Sequence, residues 1–274
     1  MDISLFAASI RPEYWDRLLS SLKSNTVKYE VIFAGFIEAD IVDEIAGSYP
    51  EFKYIQTANI KPAQCYEITR RECTGNLIGW ISDDCVFDEK ALDKICEFYP
   101  DPWAIIALHN YDPLCPNNDL NNQRFFSRNL NTPQMANYGF MSRDRLIYLG
   151  GFDNRYIYGK FECDICMRHL KDGGTILKFE ETGVQVNHTN KNGLFNNDWS
   201  GVNEDSETLE NSWVIGGYKD FEKPIIFNHP DGLGFYYPIS NQEVTFHRND
   251  RFVPYHDTDI LVKSQGLNIP GRWV

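Results

Sequence analysis

The sequence lacks the features that mark several large classes of protein. Its formal net charge at pH 7 is -13 and its pI is about 4.9, so it has no basic excess to hold a phosphate backbone, and we expect no nucleic-acid partner. No stretch approaches the roughly 20 apolar residues that cross a bilayer. The opening residues show no basic region followed by a long apolar core, which argues against a secretory leader. Together these absences predict a cytoplasmic protein without a transmembrane segment.

The sequence also lacks a recognisable framework of cysteines. The seven cysteines are an odd number scattered along the chain, and most lie in apolar segments, as reduced core cysteines do. Cys163 and Cys166 have a C-x-x-C spacing, but no second pair of Cys or His residues stands at a zinc-site distance from them. We therefore interpret Cys163 and Cys166 as packing residues.

What the sequence does contain is the pattern of a globular α/β protein. Hydrophobic residues make up 42% and aromatic residues 14% of the 274 residues, which is typical of a chain with a packed core. Strand and helix signals alternate over the first 110 residues, and such alternation predicts a mostly parallel sheet covered by helices on both faces. The predicted strands are 3–9, 30–36, 52–56, 77–82 and 103–109. Helices are predicted from residue 11, around 41–45, at 62–74 and at 89–98.

The pattern changes after residue 110. Residues 112–132 are rich in Asn, Asp and Pro, which favours a long binding loop over a short connection. A second polar stretch covers 189–211, and the tail beyond it is aromatic and β-like. Between these two loops we predict strands at 138–141, 175–180 and 184–188, helices at 143–149 and 162–171, and a glycine turn at 150–153.

The most informative segment is Ser82-Asp83-Asp84-Cys85, which directly follows an apolar strand. Two carboxylates at the carboxyl end of a buried strand lie where open α/β sheets bind their ligands. Charges placed there are costly unless they are paired or bound to a metal, and a hard divalent cation holding a phosphorylated ligand would satisfy them. The alternative is a solvated Asp-rich turn before the next helix.

A second informative segment begins the helix predicted at 162–171. Glu162 and Asp164 lie in its first turn, where carboxylates interact favourably with the helix dipole. The functional alternative is that one of them faces a cleft as a general base. His188 ends a predicted strand before a polar loop, so contact with a metal or a diphosphate and a structural or solvated role are equal alternatives for it. His109 also ends a strand and ranks below it as a ligand.

These motifs, in this order, resemble the GT-A glycosyltransferases, in particular the large inverting family 2. The resemblance covers residues 2–190. It rests on the opening strand with its Arg11-Pro12 helix, and on Lys61 to Arg71 followed by the strand that ends in Asp83-Asp84. Gly150-Gly151-Phe152-Asp153 and then Glu162-x-Asp164-Ile165-x-x-Arg168 extend it, and residues 264–273 are similar to a tail seen in some of these transferases.

The resemblance implies a GT-A fold, a mostly parallel sheet flanked by helices, with an irregular or β C-terminal extension. Residues 1–190 would form the catalytic domain, with a nucleotide-sugar-binding half at 1–110 and an acceptor half at 111–190. Residues 191–274 would form an extension packed against it.

The resemblance also implies a reaction, the transfer of a sugar from a nucleotide-diphosphate sugar to a hydroxyl of a glycan or other glycoconjugate, with inversion. The enzyme would be of the hexosyltransferase type and would use Mn²⁺ or Mg²⁺. The residues that it implies are Glu162, or else Asp164, as the base; Asp84, Asp83 and His188 as metal ligands; and Ser9, Arg11, Glu38, Lys61 and Asp83 as contacts to the nucleotide sugar.

Two other functions stay open. A sugar-phosphate nucleotidylyltransferase would need a glycine-rich basic loop after the first strand, and Ser9-Ile10-Arg11-Pro12 lacks those glycines. A catalytically degenerate sugar-binding or scaffold protein would bind the donor without turning it over. The aromatic tail is compatible with glycan binding or with the pairing of two subunits in a homo-oligomer.

Overall fold

The computed structural model describes most of the first 186 residues and parts of the tail. The described ranges are 1–57, 61–99, 101–111, 136–186, 204–205, 207–209, 212–215, 224–227, 235–238 and 246–248. The predicted loop at 112–132 and His188 lie outside the described residues, as does most of the polar stretch at 189–211. Within the described residues, no helix is long and apolar enough to span a membrane.

The strands and helices alternate through the first half of the chain, as predicted. The elements are β1 (Ile3–Ala8), α1 (Trp15–Ser21), β2 (Tyr29–Gly35), α2 (Ala39–Ser48), β3 (Phe52–Gln56), α3 (Pro62–Glu72), β4 (Leu77–Trp80), β5 (Cys85–Phe87), α4 (Ala91–Phe98) and β6 (Ala104–Tyr111). Single 3-10 turns at Pro12–Tyr14 and Leu22–Ser24 flank α1.

The second half supplies the rest of the sheet and the helix that carries Glu162. Its elements are β7 (Gly139–Ser142), α5 (Arg143–Tyr148), α6 (Phe161–Lys171), β8 (Thr175–Val186), β9 (Trp213–Ile215), β10 (Pro224–Phe227), β11 (Phe235–Pro238) and β12 (Phe246–Arg248). β10 pairs with β11, and β9 pairs with β12, in two small antiparallel sheets.

One eight-stranded sheet has the order β3-β2-β1-β4-β7-β6-β8-β5. The pairs β2/β3, β1/β2, β1/β4 and β6/β8 are parallel. The pairs β4/β7, β6/β7 and β5/β8 are antiparallel. The prediction of a mainly parallel sheet flanked by helices is confirmed, and the antiparallel pairs all involve β7 or β5.

The chain reverses its direction of growth across the sheet at β1. From β1 it proceeds outward to β2 and β3, and then returns to place β4 on the other side of β1. Ligands of open α/β sheets bind in the crevice outside the carboxyl ends of the strands at such a reversal. The loops that follow β1 and β4 therefore border the expected site.

Two predicted boundaries differ from the structure. The prediction placed a turn and then a helix after Asp84, whereas Cys85–Phe87 forms the edge strand β5, paired with Val184–Val186 of β8. Two strands were predicted between 175 and 188, but β8 is one strand with a register shift where Leu108 and His109 of β6 face it. Such an irregularity bends a strand and interrupts the two-residue alternation of its side chains, so the sequence showed two segments.

Two hydrophobic clusters cover the two faces of the sheet. Along β1, Phe6 belongs to one cluster, whereas Leu5 and Ala7 belong to the other, as alternation along a strand requires. Buried residues of α3 and α6 complete the first cluster, and buried residues of α1 and α4 complete the second. This three-layer packing fixes β1 and β4 as central strands.

Glu30, on β2, is a buried carboxylate with a structural role. It accepts hydrogen bonds from Ser4 Oγ (2.7 Å), Lys53 Nζ (2.6 Å), and the backbone N–H (2.8 Å) and Oγ1 (2.6 Å) of Thr74. Burial alone would raise the pKa of Glu30, but these hydrogen bonds outweigh it and lower the pKa from 4.5 to about 2. Glu30 therefore joins β1 and β2 to the residues that precede β4.

We expect Glu30→Gln to lower the free energy of unfolding by about 2 kcal/mol at pH 7, because a buried charge-assisted network is broken. The folded-state pKa is depressed, so this stabilisation is present above pH 4.5 and is lost as the pH falls toward 2. Urea denaturation at pH 7, 4 and 2.5 measures it, with the exposed Glu51→Gln as the control of equal charge. Equal destabilisation by both variants at pH 7 would contradict the prediction.

Candidate functional site

The candidate site lies where β1 and β4 end. Ser9 directly follows β1, and Asp83 and Asp84 follow β4, which pairs in parallel with β1. Arg11 extends from the same loop as Ser9, just before the 3-10 turn at Pro12–Tyr14. The structure therefore brings together four of the residues that the sequence predicted.

Asp83 is held by the loop after β1. Its side chain is buried, and it accepts hydrogen bonds from Ser9 Oγ (2.6 Å) and Arg11 Nε (3.2 Å) and a further, short contact from Arg11 Nη2. Trp15 Nε1 donates to Ser9 Oγ at 2.6 Å and so orients the hydroxyl. Burial raises the pKa of Asp83, although Arg11 and Ser9 oppose this effect. Asp83 thus joins the two loops that border the crevice.

Asp84 contacts Ser82 and also reaches Arg11. Its Oδ1 accepts from Ser82 Oγ at 2.5 Å, and the same hydroxyl lies 2.7 Å from Tyr138 OH at the start of β7. Its Oδ2 lies 3.3 Å from Arg11 Nη2. Burial opposes the charge on Arg11, but the hydrogen bond and charge of Asp83 and the charge of Asp84 outweigh this and raise the pKa of the guanidinium.

The two carboxylates converge on one cationic atom. Arg11 Nη2 contacts both Asp83 Oδ1 and Asp84 Oδ2, so a single positive centre can lie between them. Carboxylate oxygens are also the ligands that Mg²⁺ and Mn²⁺ prefer. Among the described residues, no three His, Cys, Asp or Glu side chains form a metal-binding group. The residues present therefore fit a divalent ion that takes its remaining ligands from a bound diphosphate or from outside the described residues.

Glu162 lines a cavity next to this acidic strand end. The cavity has a volume of about 160 Å³. Burial raises the pKa of Glu162, and the positive charge of Lys160 opposes that shift. The residues that line the cavity are Tyr66, Trp80, Ile81, Ser82, Asn137, Tyr138, Tyr158, Gly159, Phe161 and Glu162.

Tyr66 marks the point where the acidic residues converge. Its hydroxyl donates to the carbonyl of Ile81 at 2.5 Å, directly before the Ser82-Asp83-Asp84 segment. Burial raises the pKa of Tyr66, and the negative charges of Asp83, Glu162 and Asp84 raise it further, in that order. The predicted base Glu162 and the predicted metal ligands Asp83 and Asp84 therefore all act electrostatically on one tyrosine.

Asp164 is in a different environment from Glu162. It is fully buried and accepts a hydrogen bond from Arg168 Nε at 2.7 Å, one helical turn further on. It is not among the residues that line the cavity. Of the two alternatives for the base, the geometry favours Glu162 and gives Asp164 a structural environment.

Arg168 and Glu67 hold the glycine turn that precedes α6. Arg168 donates to the carbonyls of Leu149 (2.5 Å) and Gly151 (2.7 Å), and the carboxylate of Glu67 accepts from the backbone N–H of Phe152 (3.1 Å). Gly151 has a φ of +77°, a conformation that glycine adopts without strain. The Gly150-Gly151-Phe152-Asp153 segment and the Asp164/Arg168 pair thus form one structural unit behind the cavity.

The remaining predicted contacts are Lys61, Glu38 and His188. Lys61 precedes α3, and its Nζ donates to Tyr158 OH at 2.8 Å, at the rim of the cavity. Glu38 is exposed and precedes α2, without a side-chain hydrogen bond to that helix. His188 lies outside the described residues, so its predicted role stays a prediction.

Several cavity residues were not found from the sequence. Tyr66 and Tyr138 come from a helix and a strand with no local motif, and only the fold brings them to Ser82. Asp205, which contacts the cavity-lining Tyr158 and Gly159 but does not line the cavity itself, lies in the polar stretch that was predicted only as a loop. In contrast, the spacing of Asp164 and Arg168 is a recognisable helical ion pair that the sequence itself shows.

Comparison with known proteins finds similarity in structure but not in sequence. No protein-family profile matches the chain, and no curated sequence matches it. Among solved structures, GalNAc-T7 with UDP, GalNAc and Mn²⁺ has a TM-score of 0.59 and 14% identity, over 80% of this chain and 50% of that one. TarS 1-349 of S. aureus with UDP-GlcNAc has a TM-score of 0.51 and 13% identity, over 68% and 58% of the two chains.

A third similar structure comes from an archaeal source. The mannosyltransferase PcManGT from Pyrobaculum calidifontis, in complex with GDP-Man and Mn²⁺, has a TM-score of 0.52 and 12% identity, over 67% of this chain and 56% of that one. The match therefore spans between half and three fifths of each of these three proteins. At such low identity the similarity concerns the fold. The chain has the GT-A glycosyltransferase fold, as the sequence predicted.

Proposed function

We propose that this chain is a glycosyltransferase that transfers a sugar from a nucleotide-diphosphate sugar to a hydroxyl of a glycan or other glycoconjugate acceptor. One observation carries the proposal: Ser82, which donates to the paired acid Asp84, lines the same cavity as Glu162. Such a transfer needs two parts: a pair of acidic residues that can hold an ion for the diphosphate, and a separate carboxyl group for the acceptor. The nucleotide and nucleotide-sugar complexes of the similar structures support it.

The volume of the cavity indicates which part of the donor it can hold. Sites that enclose a whole ligand have volumes of about 300–1,000 Å³, whereas the cavity beside Glu162 measures about 160 Å³. We assign the transferred sugar and the acceptor hydroxyl to this cavity. The nucleotide would then lie along the crevice at the ends of β1 and β4, next to Ser9 and Arg11.

The diphosphate is the part of the donor that needs positive charge. Asp84, together with Asp83, would hold a divalent ion, and an ion bound there would supply Lewis-acid stabilisation of the departing nucleotide diphosphate. Arg11 supplies a guanidinium at the same point. Ser9 and Trp15 keep Asp83 in position through the hydrogen-bonded chain described above.

Glu162 would remove the proton from the acceptor hydroxyl as that oxygen attacks the anomeric carbon. The carboxylate oxygen takes the proton, the new carbon–oxygen bond forms on the face opposite the departing diphosphate, and the configuration inverts. A base works best with a pKa near the pH of the reaction, and burial raises the pKa of Glu162 in that direction. The apolar and aromatic lining of the cavity would keep water from competing with the acceptor.

The proposal is tested with purified protein and a panel of UDP-, GDP-, CMP- and dTDP-sugars, each with Mn²⁺ or with EDTA. Release of nucleotide and the melting temperature are measured for each donor. We expect one donor to raise the melting temperature and to be turned over in the presence of Mn²⁺. Binding without turnover, across a range of acceptor glycans, would favour a degenerate sugar-binding or scaffold protein instead.

A further inference from the structure

A buried carboxylate outside the predicted motifs holds the segment that precedes α6. Asp205 is 1% exposed, and it accepts the backbone N–H groups of three consecutive residues. The N–H of Ile157 lies 2.8 Å from Oδ1, and those of Tyr158 and Gly159 lie 2.6 and 2.8 Å from Oδ2. A carboxylate without such donors would be costly to bury. The three hydrogen bonds therefore allow Asp205 to be buried.

The segment 157–159 connects the two helices that border the cavity. The carbonyl of Ile157 accepts the backbone N–H of Ala63 (3.0 Å) in the first turn of α3. Tyr158 and Gly159 line the cavity beside Glu162. Lys160 follows with a φ of +64° and caps α6. The conformation of 157–159 therefore fixes both a wall of the cavity and the start of the helix that carries Glu162.

The chain is also buried close to Asp205. Leu209, four residues further on in the sequence, is 1% exposed and belongs to the same hydrophobic cluster as Phe152 and Phe161. Asp205, in the polar stretch at 189–211, thus places a carboxylate in the interior of the fold, where its two oxygens accept the three N–H groups.

From this geometry we infer that Asp205 is a positioning residue of the candidate active site. It acts through the 157–159 segment, which it holds in the one conformation that completes the cavity and sets the direction of Glu162. The inference rests on the proposed function, because the position of Glu162 matters only if that residue reacts. It assigns to the acidic stretch a role that the motifs did not predict.

The charge of Asp205 also acts on Glu162. The titratable groups that interact with Glu162 are Lys160, which lowers its pKa, Asp205, which raises it, and Tyr66 and Cys166, whose own pKa values the charge of Glu162 raises. Removal of the Asp205 charge should therefore shift the acid limb of the pH–rate profile to lower pH. A residue with a purely structural role would lower activity without this shift.

The test compares Asp205→Asn and Asp205→Glu with Glu204→Gln, which removes the same charge from an exposed neighbour. Amide hydrogen exchange, kcat, the dissociation constant of the donor and the pH–rate profile are measured for each. We expect Asp205→Asn to speed exchange at Tyr158 and Gly159 and to lower kcat by about 10- to 100-fold, as small misplacements of catalytic groups do. Asp205→Glu should restore part of kcat and the position of the acid limb, and Glu204→Gln should match the wild type.

The outcomes separate the two proposals. If the wild type turns over a donor but Asp205→Asn keeps its kcat and its acid limb, the positioning role is overturned while the transferase function stands. If Asp205→Asn does not fold, a folded Asp205→Glu variant with faster amide exchange at Tyr158 and Gly159 but the kcat of the wild type would overturn it equally. If the wild type turns over no nucleotide sugar, both the function and the positioning role are overturned.

Discussion

Replacement of Glu162 by Gln should lower kcat by roughly 10²–10⁴-fold, the contribution of a positioned general base. Gln has nearly the shape of Glu, so the walls of the cavity and the fold should stay intact. It cannot accept the proton of the acceptor hydroxyl, so the loss concerns the chemical step and leaves the affinity for the donor unchanged. Isothermal titration with the donor and steady-state kinetics with the acceptor measure the two quantities separately.

The matched comparison is Asp164→Asn, because both carboxylates lie in the first turn of α6. Asp164 pairs with Arg168 in a buried position, so its replacement removes the negative charge beside the buried guanidinium and should cost about 3–5 kcal/mol of stability. A thermal melt of both variants therefore distinguishes the roles. A stable Asp164→Asn variant with no turnover, beside an active Glu162→Gln variant, would reverse our assignment of the base.

The pH dependence follows from the same geometry. Burial raises the pKa of Glu162 above its usual 4.5, and the base must be deprotonated to act. We therefore expect kcat to be constant above that raised pKa and to fall as the pH decreases through it. In Glu162→Gln the residual activity should lose this acid limb.

The sequence predicted several strands of the sheet well because their signals are local. β3 occurs at the predicted residues 52–56, and the apolar run that ends in Asp83-Asp84 is β4. A buried strand followed by paired acids carries both its structure and its chemistry within about ten residues. The parallel order of the sheet followed in turn from the alternation of helices and strands.

The parts that the sequence missed depend on partners far along the chain. β5 has three residues, too few to show an alternation, and it is a strand because Val184–Val186 supplies its hydrogen bonds. The carboxylate of Asp205 is buried because three N–H groups nearly 50 residues earlier receive it. Each of these features is fixed by tertiary contact, so no local pattern predicts it.

Glu162 and Asp164 show, within one helical turn, the same limit of prediction from local sequence patterns. Both are acids at a helix N-terminus, and the dipole favours either one equally. Only the packing shows that one side chain lines a cavity and the other lies against Arg168. The motif therefore offered two candidates for the base, and the packing is the reason that we propose Glu162.

Asp84→Asn should remove Mn²⁺-dependent turnover and lower kcat/KM by about 10²–10³-fold, the loss expected when one stabilising interaction with the leaving group is removed. Asn can still accept the hydrogen bond from Ser82, so the loop after β4 should keep its conformation. The variant loses the negative charge that balances Arg11 and the ion. Exposed Glu89→Gln, five residues later, is the control of equal charge.

Asp83→Asn should behave differently, and the contrast tests the division of roles between the two acids. Asp83 is buried and accepts from Ser9 and Arg11, so its replacement should lower the melting temperature as well as the activity. Binding of Mn²⁺, followed by electron paramagnetic resonance with and without the donor, should weaken in Asp84→Asn while its melting temperature stays near that of the wild type. If Mn²⁺ binds equally to Asp84→Asn and the wild type, the ion is not held at the end of β4. The guanidinium of Arg11 would then be the positive charge that meets the diphosphate, and Arg11→Gln would become the variant that abolishes turnover.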